Sequence, residues 1–546
     1  MIRNRSMCFY ALLFASCFLL FAVPALAMAE EEEKYPMLQY DAQRTGNVSG
    51  IAPETATLLW QSGEKTSGCI QAGPIVSDGR VYISTWWSSG MGVKGNGTDA
   101  LYCLNEGTGE EIWNNTDVYG ASTAAIANGK LFVGTHRGNI TCVNVTSGDI
   151  EWSKKIEENP SWKGVASSPL VVEDKVYVLS FSDGTLHAFS FDGVALGKFS
   201  TGGEIFCYAS PSAYGDKIYF AGNKEGQPAL YCLDLNMSEE VWNFPTETEI
   251  RGSPTIWGEE EMVFFTSEYI PMKEYGIYAV NMITGEELWS VTHYSTWASP
   301  ALSNGKLYLG GSTVDTTFYC YDALNGSLLW KNEEMGGSIS SSSVVADGKV
   351  YFGTNEVDGT VYALDAENGS TLWNYTLHIP EGFGGGFNIA SHPAISNSTL
   401  FIGVDNVGVL AFRDATFWDG EVTLKENTTV NVTAHNSGVS YEIDQTTALG
   451  ALDAAAEAGG FKYAISDEWY ASWDILMVDS IAGTASDSIT WDGWLYWVNY
   501  PDDPMPMVGA NQYEVEDGDV ITYYYGGMGT TPDNTSMVVR IQVHLP

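Results

Sequence analysis

The chain has 546 residues, is 45% hydrophobic and carries a formal charge of −43. That length and apolar content suffice for more than one hydrophobic core. The charge repels nucleic acid and anionic membranes, and favours solubility, salt tolerance and loose association with divalent cations.

Residues 1–27 read as a signal peptide: Arg3 and Arg5 form the basic start, Phe9 to Val23 the apolar stretch, and Ala25-Leu26-Ala27 the cleavage site. No later run reaches the apolar length of a membrane helix, so the mature chain is expected to be released or held at the cell by a partner.

From residue 36 to 415 one pattern recurs eight times, most fully in Val344-Val345-Ala346-Asp347-Gly348-Lys349-Val350-Tyr351-Phe352-Gly353, Thr360 to Ala366 and Asn368 to Trp373. Four short β-runs separated by turn residues, at a period near 40–50 residues, predict an eight-bladed β-propeller. Asp78-Gly79, Asn128-Gly129, Asn304-Gly305 and Asp347-Gly348 supply hairpin turns. The closing tryptophans are Trp60, Trp113, Trp152, Trp242, Trp289, Trp330 and Trp373, with an eighth slot, lacking Trp, placed around Phe199. Because Trp60 precedes the first blade and the last blade (residues 390–412) has no closing Trp, residues 57–60 are expected to add the outer strand of that blade and close the ring. The third strand carries a small residue, Ala188, Ala279, Ala363 or Ala411 in some blades and Cys103, Cys142, Cys232 or Cys320 in others. Those cysteines, with Cys69 and Cys207, therefore read mainly as buried small apolar residues rather than a disulfide framework.

Thirteen glycosylation sequons follow the leader, at Asn47, Asn96, Asn114, Asn139, Asn144, Asn236, Asn325, Asn368, Asn374, Asn397, Asn427, Asn431 and Asn534. They predict a decorated exterior. Together with the acidity and unpaired thiols they fit an archaeal surface protein from an anoxic habitat.

Near Trp418 the grammar changes. Residues 421–432 alternate as a strand. Thr446 to Ala458 reads as a helix with a Thr cap and a Gly459-Gly460 stop. Strands follow at 475–481, 494–500, 520–525 and 537–545, giving an α+β domain over residues 420–546.

The blade endings Leu104 to Trp113, Thr284 to Trp289 and Asp365 to Trp373, with the lead-in Tyr35 to Gly46, resemble the repeats of the quinoprotein alcohol dehydrogenase-like family, which includes the bacterial outer-membrane assembly propeller. The resemblance implies the propeller fold and tryptophans docked on the next blade. Quinone enzymes of that family carry an adjacent cysteine pair and a calcium site beside a catalytic Asp. This sequence has no Cys-Cys pair and no evident Glu/Asn/Asp set. Ala448 to Ala455, Gly493 to Asn499 and Ala510 to Ile521 resemble the C-terminal β-domain of transcobalamin and intrinsic factor, which implies a corrinoid or other flat ligand; the α-barrel of those carriers is missing.

The candidate ligand-binding residues are Trp86 and Trp87 beside the loop 88–99, Phe383 and Phe387 in a glycine-rich loop, and Trp494, Tyr496 and Trp497 on one strand. Each set also reads as packing. The seven histidines show no metal-ligand spacing, and no Gly-x-Ser-x-Gly elbow is present. The expectation is a secreted, non-enzymatic cell-surface scaffold with no cofactor and no metal, whose partners are surface proteins or glycans. The alternatives are a quinone-dependent oxidoreductase, with pyrroloquinoline quinone (PQQ) and a degenerate site, and capture of cobalamin or another flat ligand.

Overall fold

The computed structural model describes residues 36–86, 97–158, 160, 164–206, 208–295, 297–378, 386–414, 416–482, 484–486, 493–501, 503–527, 530–532, 535 and 537–546. The expected leader, Trp87, Asn96, Cys207, Phe383 and Asn534 lie outside these residues.

Eight sheets of the propeller type succeed one another among the described residues. Blades 1 to 7 span residues 75–115, 125–155, 170–200, 212–245, 255–291, 301–332 and 344–376, each with four antiparallel strands in chain order. Blade 8 takes three strands from residues 394–412, and Leu58–Gln61 pairs with Gly408–Phe412 as its outer strand. Trp60 lies opposite Ala411, so the ring is stitched by the segment the sequence phase pointed to.

The same register decides the repeated small residue. Cys103, Cys142, Cys232 and Cys320 face Trp113, Trp152, Trp242 and Trp330 across the ladder, as Ala279 faces Trp289. A larger side chain there would meet the indole. All four are free, buried thiols pushed up to about 12 by burial, so they pack as small apolar residues. The register also corrects the eighth slot. Ala188 lies opposite Gly197, so the lost tryptophan position is Gly197, two residues before Phe199. Gly197 follows the turn glycine Gly193 at the same offset as Trp113 follows Gly109 and Trp152 follows Gly148, and the same outer-strand bulge recurs in both kinds of blade.

Each docking indole makes one hydrogen bond, and all but Trp373 also fill the space beside a glycine. Its Nε1–H donates to a carbonyl of the next blade: Trp60 to Glu106 (2.8 Å), Trp113 to Val145 (3.1 Å), Trp152 to Phe191 (2.8 Å), Trp242 to Met282 (3.1 Å), Trp289 to Ala323 (3.0 Å), Trp330 to Ala366 (3.2 Å) and Trp373 to Pro53 (3.2 Å). In Trp60, Trp113, Trp152, Trp242, Trp289 and Trp330 the ring also lies against the glycine of that blade's last turn. A Cβ on Gly148, Gly193, Gly285 or Gly326 would fall 2.6–2.7 Å from the indole, and each has φ between +73° and +77°. The recurring turn glycine and the tryptophan are therefore one device split between neighbouring blades. Where Trp is replaced by Gly197, the following turn carries Met237 at φ 55°, and its Cε lies 3.1 Å from a Cβ built on Gly197. The methionine refills the space.

Residues 36–48 close one end of the central channel. Inner strands of a propeller leave N–H groups unpaired on the channel side. Here Ile126, Ala213, Ile256, Leu302 and Val345 donate to the carbonyls of Pro36, Ala42, Gln43, Thr45 and Gly46, at 2.7–2.9 Å. Arg44, fully buried, donates to the carbonyls of Leu38 (2.7 Å), Pro169 (3.1 Å) and Pro211 (3.2 Å). The plug thus touches blades 2 to 7. Gly46 sits at φ 63°, where a Cβ would lie 2.9 Å from the Ser343 carbonyl.

The C-terminal unit has a four-stranded sheet in the order Thr416–Thr423, Val538–His544, Val520–Gly526, Gly493–Val498, the first pair parallel. The expected single strand over 421–432 is two, Thr416–Thr423 and Thr429–Thr433, because the chain turns through Asn427 at φ 53°. The helix Ala448–Gly459 is capped by Thr447, which accepts from the Gly450 N–H, and ends on Gly460 at φ 64°. Arg413, buried at the end of blade 8 and held down to about 10 by that burial, donates to Thr484 Oγ1 at 2.8 Å and so ties the two units.

Candidate functional site

A belt of hydrogen bonds runs around the channel at the start of each blade. The Gly73 N–H donates to Thr123 Oγ1 (2.9 Å), Thr123 to Ser168 Oγ (3.1 Å), Ser168 to Ser210 (2.9 Å), Ser210 to Ser253 (3.1 Å), Ser253 to Ser299 (2.8 Å) and Ser299 to Ser342 (2.9 Å). Blade 8 places His392 at this level. A Cβ on Gly73 would fall inside its imidazole, so the one large residue of the belt faces the one residue without a side chain. Burial, with Arg44 nearby, holds His392 down to about 3; it is neutral at pH 7.

Above the plug the belt encloses a small chamber of about 60 Å³, floored by Leu38 and roofed by Gln71, Tyr208 and Trp297. The Tyr208 hydroxyl donates to Gln71 Oε1, joining blade 4 to blade 1 across the channel. The volume suits about four waters and is far below the roughly 300–1,000 Å³ of ligand pockets. A tricyclic quinone does not fit there. No group of three or more His, Cys, Asp or Glu side chains among the described residues is placed to hold a metal ion.

Outside that roof lies a larger, open pocket of about 270 Å³ built by blades 5, 6 and 7 and sharing Trp297 and Ser340 with the chamber. Trp297 stacks on Phe206 (6.1 Å between centroids, 17°) and meets Tyr208 edge-on at 5.6 Å. The Arg251 guanidinium lies over the other aromatic neighbour, Phe206, at 4.3 Å. It pairs with Glu268 at 2.5 Å and reaches Glu249 at 3.9 Å. Burial raises the Glu249 carboxyl; Arg251 opposes this, while Glu268 and Glu204 add to it. Two carboxylates, Glu268 and Glu249, thus flank one cation.

The residues singled out in the sequence are dispersed. Trp86 is only 1% exposed; it exchanges two backbone hydrogen bonds with Cys69 at 3.1 Å and packs with Ala121 and Ala166. Its ring is enclosed under the channel mouth, which is the packing reading. Phe387 is buried in the core of blades 7, 8 and 1. Trp494 and Tyr496 point into the core of the C-terminal unit, donating to the carbonyls of Thr484 (2.7 Å) and Val508 (2.8 Å). Trp497 lies on the opposite face, half-buried, against Tyr500 and Asp503. The three aromatics therefore do not share one face. Of the described sequon residues, Asn47, Asn114, Asn236, Asn325, Asn368, Asn374, Asn427 and Asn431 are exposed, while Asn139, Asn144 and Asn397 are half-buried.

These features define a β-propeller of the PQQ-like repeat class with a small α+β domain attached. The family model described as outer membrane protein assembly factor BamB matches residues 44–190 and 273–442, more than half of the chain, and the protein belongs to that family. A second model, for a domain of unknown function (DUF4430), matches residues 445–527. Among curated relatives, the quinoprotein alcohol dehydrogenase PedH of Pseudomonas putida is 26% identical over 194 residues, covering 36% of this chain and 29% of its own. The outer membrane protein assembly factor BamB of Yersinia pestis is 26% identical over 218 residues, covering 38% and 47%. This chain thus spans less than half the length of either relative. The solved europium-containing methanol dehydrogenase superposes with a TM-score of 0.54 at 15% identity, over 69% of this chain and 90% of that one. Such a likeness shows the fold.

Proposed function

We propose that the protein is a secreted, non-enzymatic binding scaffold of the cell surface, glycosylated at its exposed sequons. Its propeller presents the pocket at the channel mouth, and its C-terminal unit acts as a rigid adaptor. The observation that carries this reading is the channel itself. Its own N-terminal segment fills one end, and the chamber left has room for a few waters, which supports a channel that holds no large cofactor. Kinship with assembly factors supports a role in holding other molecules. Among the described residues no helix is long and apolar enough to cross a membrane, which is consistent with retention through a partner.

The test is direct. The full chain, supplied with PQQ, Ca²⁺, a primary alcohol and a redox dye, is expected to give no turnover above the protein-free rate and no visible absorbance band after desalting. Robust alcohol oxidation would overturn the proposal.

A further inference from the structure

We infer that the open pocket of blades 5 to 7 is a recognition site for a single ring of a neutral saccharide; this rests on the binding-scaffold reading above. The argument begins with size. At about 270 Å³ the space lies at the small end of ligand pockets, which limits an occupant to about the size of one sugar ring. Its lining comes next. Trp297 and Tyr269 supply aromatic surface that suits the C–H face of a pyranose. Most of the remaining lining is hydroxyl, amide and charged groups, among them Ser295, Ser338, Asn355 and the Arg251–Glu268 pair. A polyol needs this combination, because its faces are apolar and its rim donates and accepts hydrogen bonds.

A second observation points to a ligand independently. Ser295 is 7% exposed, lines this pocket, and its Oγ has no hydrogen-bond partner among the described residues; the Arg251 Nε–H likewise has none. Buried polar groups are normally satisfied, and a rotation of the Ser295 side chain would bring its Oγ to a hydroxyl-bearing ligand in the pocket. The charge decides the class. Arg251 is already paired with Glu268 and reaches Glu249, so the one cation lining the pocket is neutralised, in a chain of charge −43. A tricarboxylate such as a quinone cofactor is repelled, whereas an uncharged polyol is not. A cation has no unpaired carboxylate beside the aromatic surface, since Glu268 is engaged by Arg251.

Saturation-transfer NMR on the full chain with glucose, galactose, mannose and N-acetylglucosamine, each at millimolar concentration, tests this. At least one sugar is expected to receive saturation at its ring C–H protons. Trp297→Ala and Asn355→Ala should each weaken it about tenfold, with Trp473→Ala in the C-terminal unit as the unaffected control. If Trp297→Ala melts early, Asn355→Ala and Ser295→Val carry the test. Absence of transfer to all four sugars, binding unchanged in the pocket variants, or tighter pocket binding of PQQ or tetramethylammonium would overturn the inference. Antibody labelling of intact cells reads the scaffold proposal separately: surface retention without sugar binding sinks only the saccharide site.

Discussion

A tryptophan and a glycine on neighbouring blades share one volume in this propeller, and most of its blade-to-blade specificity follows from that exchange. Gly285 stands for the set. It needs its positive φ and its missing Cβ, which would lie 2.6 Å from the Trp242 indole. Gly285→Ala is expected to cost about 2–4 kcal/mol, from overpacking and left-handed strain together, as read by urea denaturation. At Gly197 and Met237 the trade is reversed. Gly197→Trp alone should destabilise, because Met237 occupies the space. Adding Met237→Gly should recover most of the loss, a coupling that a double-mutant cycle measures directly. The docking tryptophans were legible in the sequence because indoles at a fixed offset from a Thr-Gly or Asn-Gly turn have few other uses. The same offset counted from Gly193 gives Gly197 for the missing one, but a glycine there carries no aromatic signal and Phe199, the nearest aromatic, masks it. Trp86 misled for a related reason: an aromatic beside a long insertion signals a ligand platform and a packed mouth equally well, and only its burial under Cys69 and Ala121 separates them.

Strands and loops are held together by the belt and the plug, of which the sequence disclosed little. The serine preceding proline recurs in several blades, but its role as an acceptor for the previous blade's N–H becomes visible only once the ring is assembled. The exception at His392 yields a prediction. Gly73→Ser should be strongly destabilising because its side chain would enter the imidazole. Gly73→Ser with His392→Ser should restore folding and extend the hydroxyl belt, with melting temperature as the readout. If the double variant is no better than the single one, the size exchange is not what holds these blades in register. The mouth pocket escaped detection for another reason. Arg251, Trp297 and Asn355 come from three blades and are separated by dozens of residues, and no local spacing marks them. The C-terminal helix and its later strands were readable from cap, glycine stop and alternation, yet alternation was also the clue that Trp494 and Trp497 face opposite ways.

For the molecule as a whole, two kinds of buried group pull its stability in opposite directions with pH. Burial pushes the Asp405 carboxyl, which accepts the Ile70 N–H at 2.7 Å between blades 8 and 1, up to about 6 from 3.8. Its contribution is therefore full below pH 3.8 and lost as pH rises through about 6. Burial holds His293 and His392 down to about 4 and about 3 from 6.5; their contribution is full above 6.5 and lost as pH falls below it. Calorimetry of Asp405→Asn should show a rise in melting temperature relative to the parent chain at pH 7 that vanishes near pH 4. An equal difference at both values would remove Asp405 from the account. Cobalamin titrated into the full chain should give no heat, because Trp494 and Tyr496 are committed to the core. Eight repeats and their phase were enough to foresee the ring and its closing strand; the plug was not foreseeable, because an arginine satisfied by three carbonyls leaves no pattern in composition. That plug and the strand Leu58–Gln61 have a temporal consequence. The residues that seal the ring are made first, yet their partners lie as far along the chain as residue 412. Residues 36–48 find partners as blades 2 to 7 form, but until the eighth blade exists the strand Leu58–Gln61 has nothing to pair with. Completion of the ring is thus a single late event of very high sequence separation, and a chain arrested before blade 8 would expose both unsatisfied ends at once.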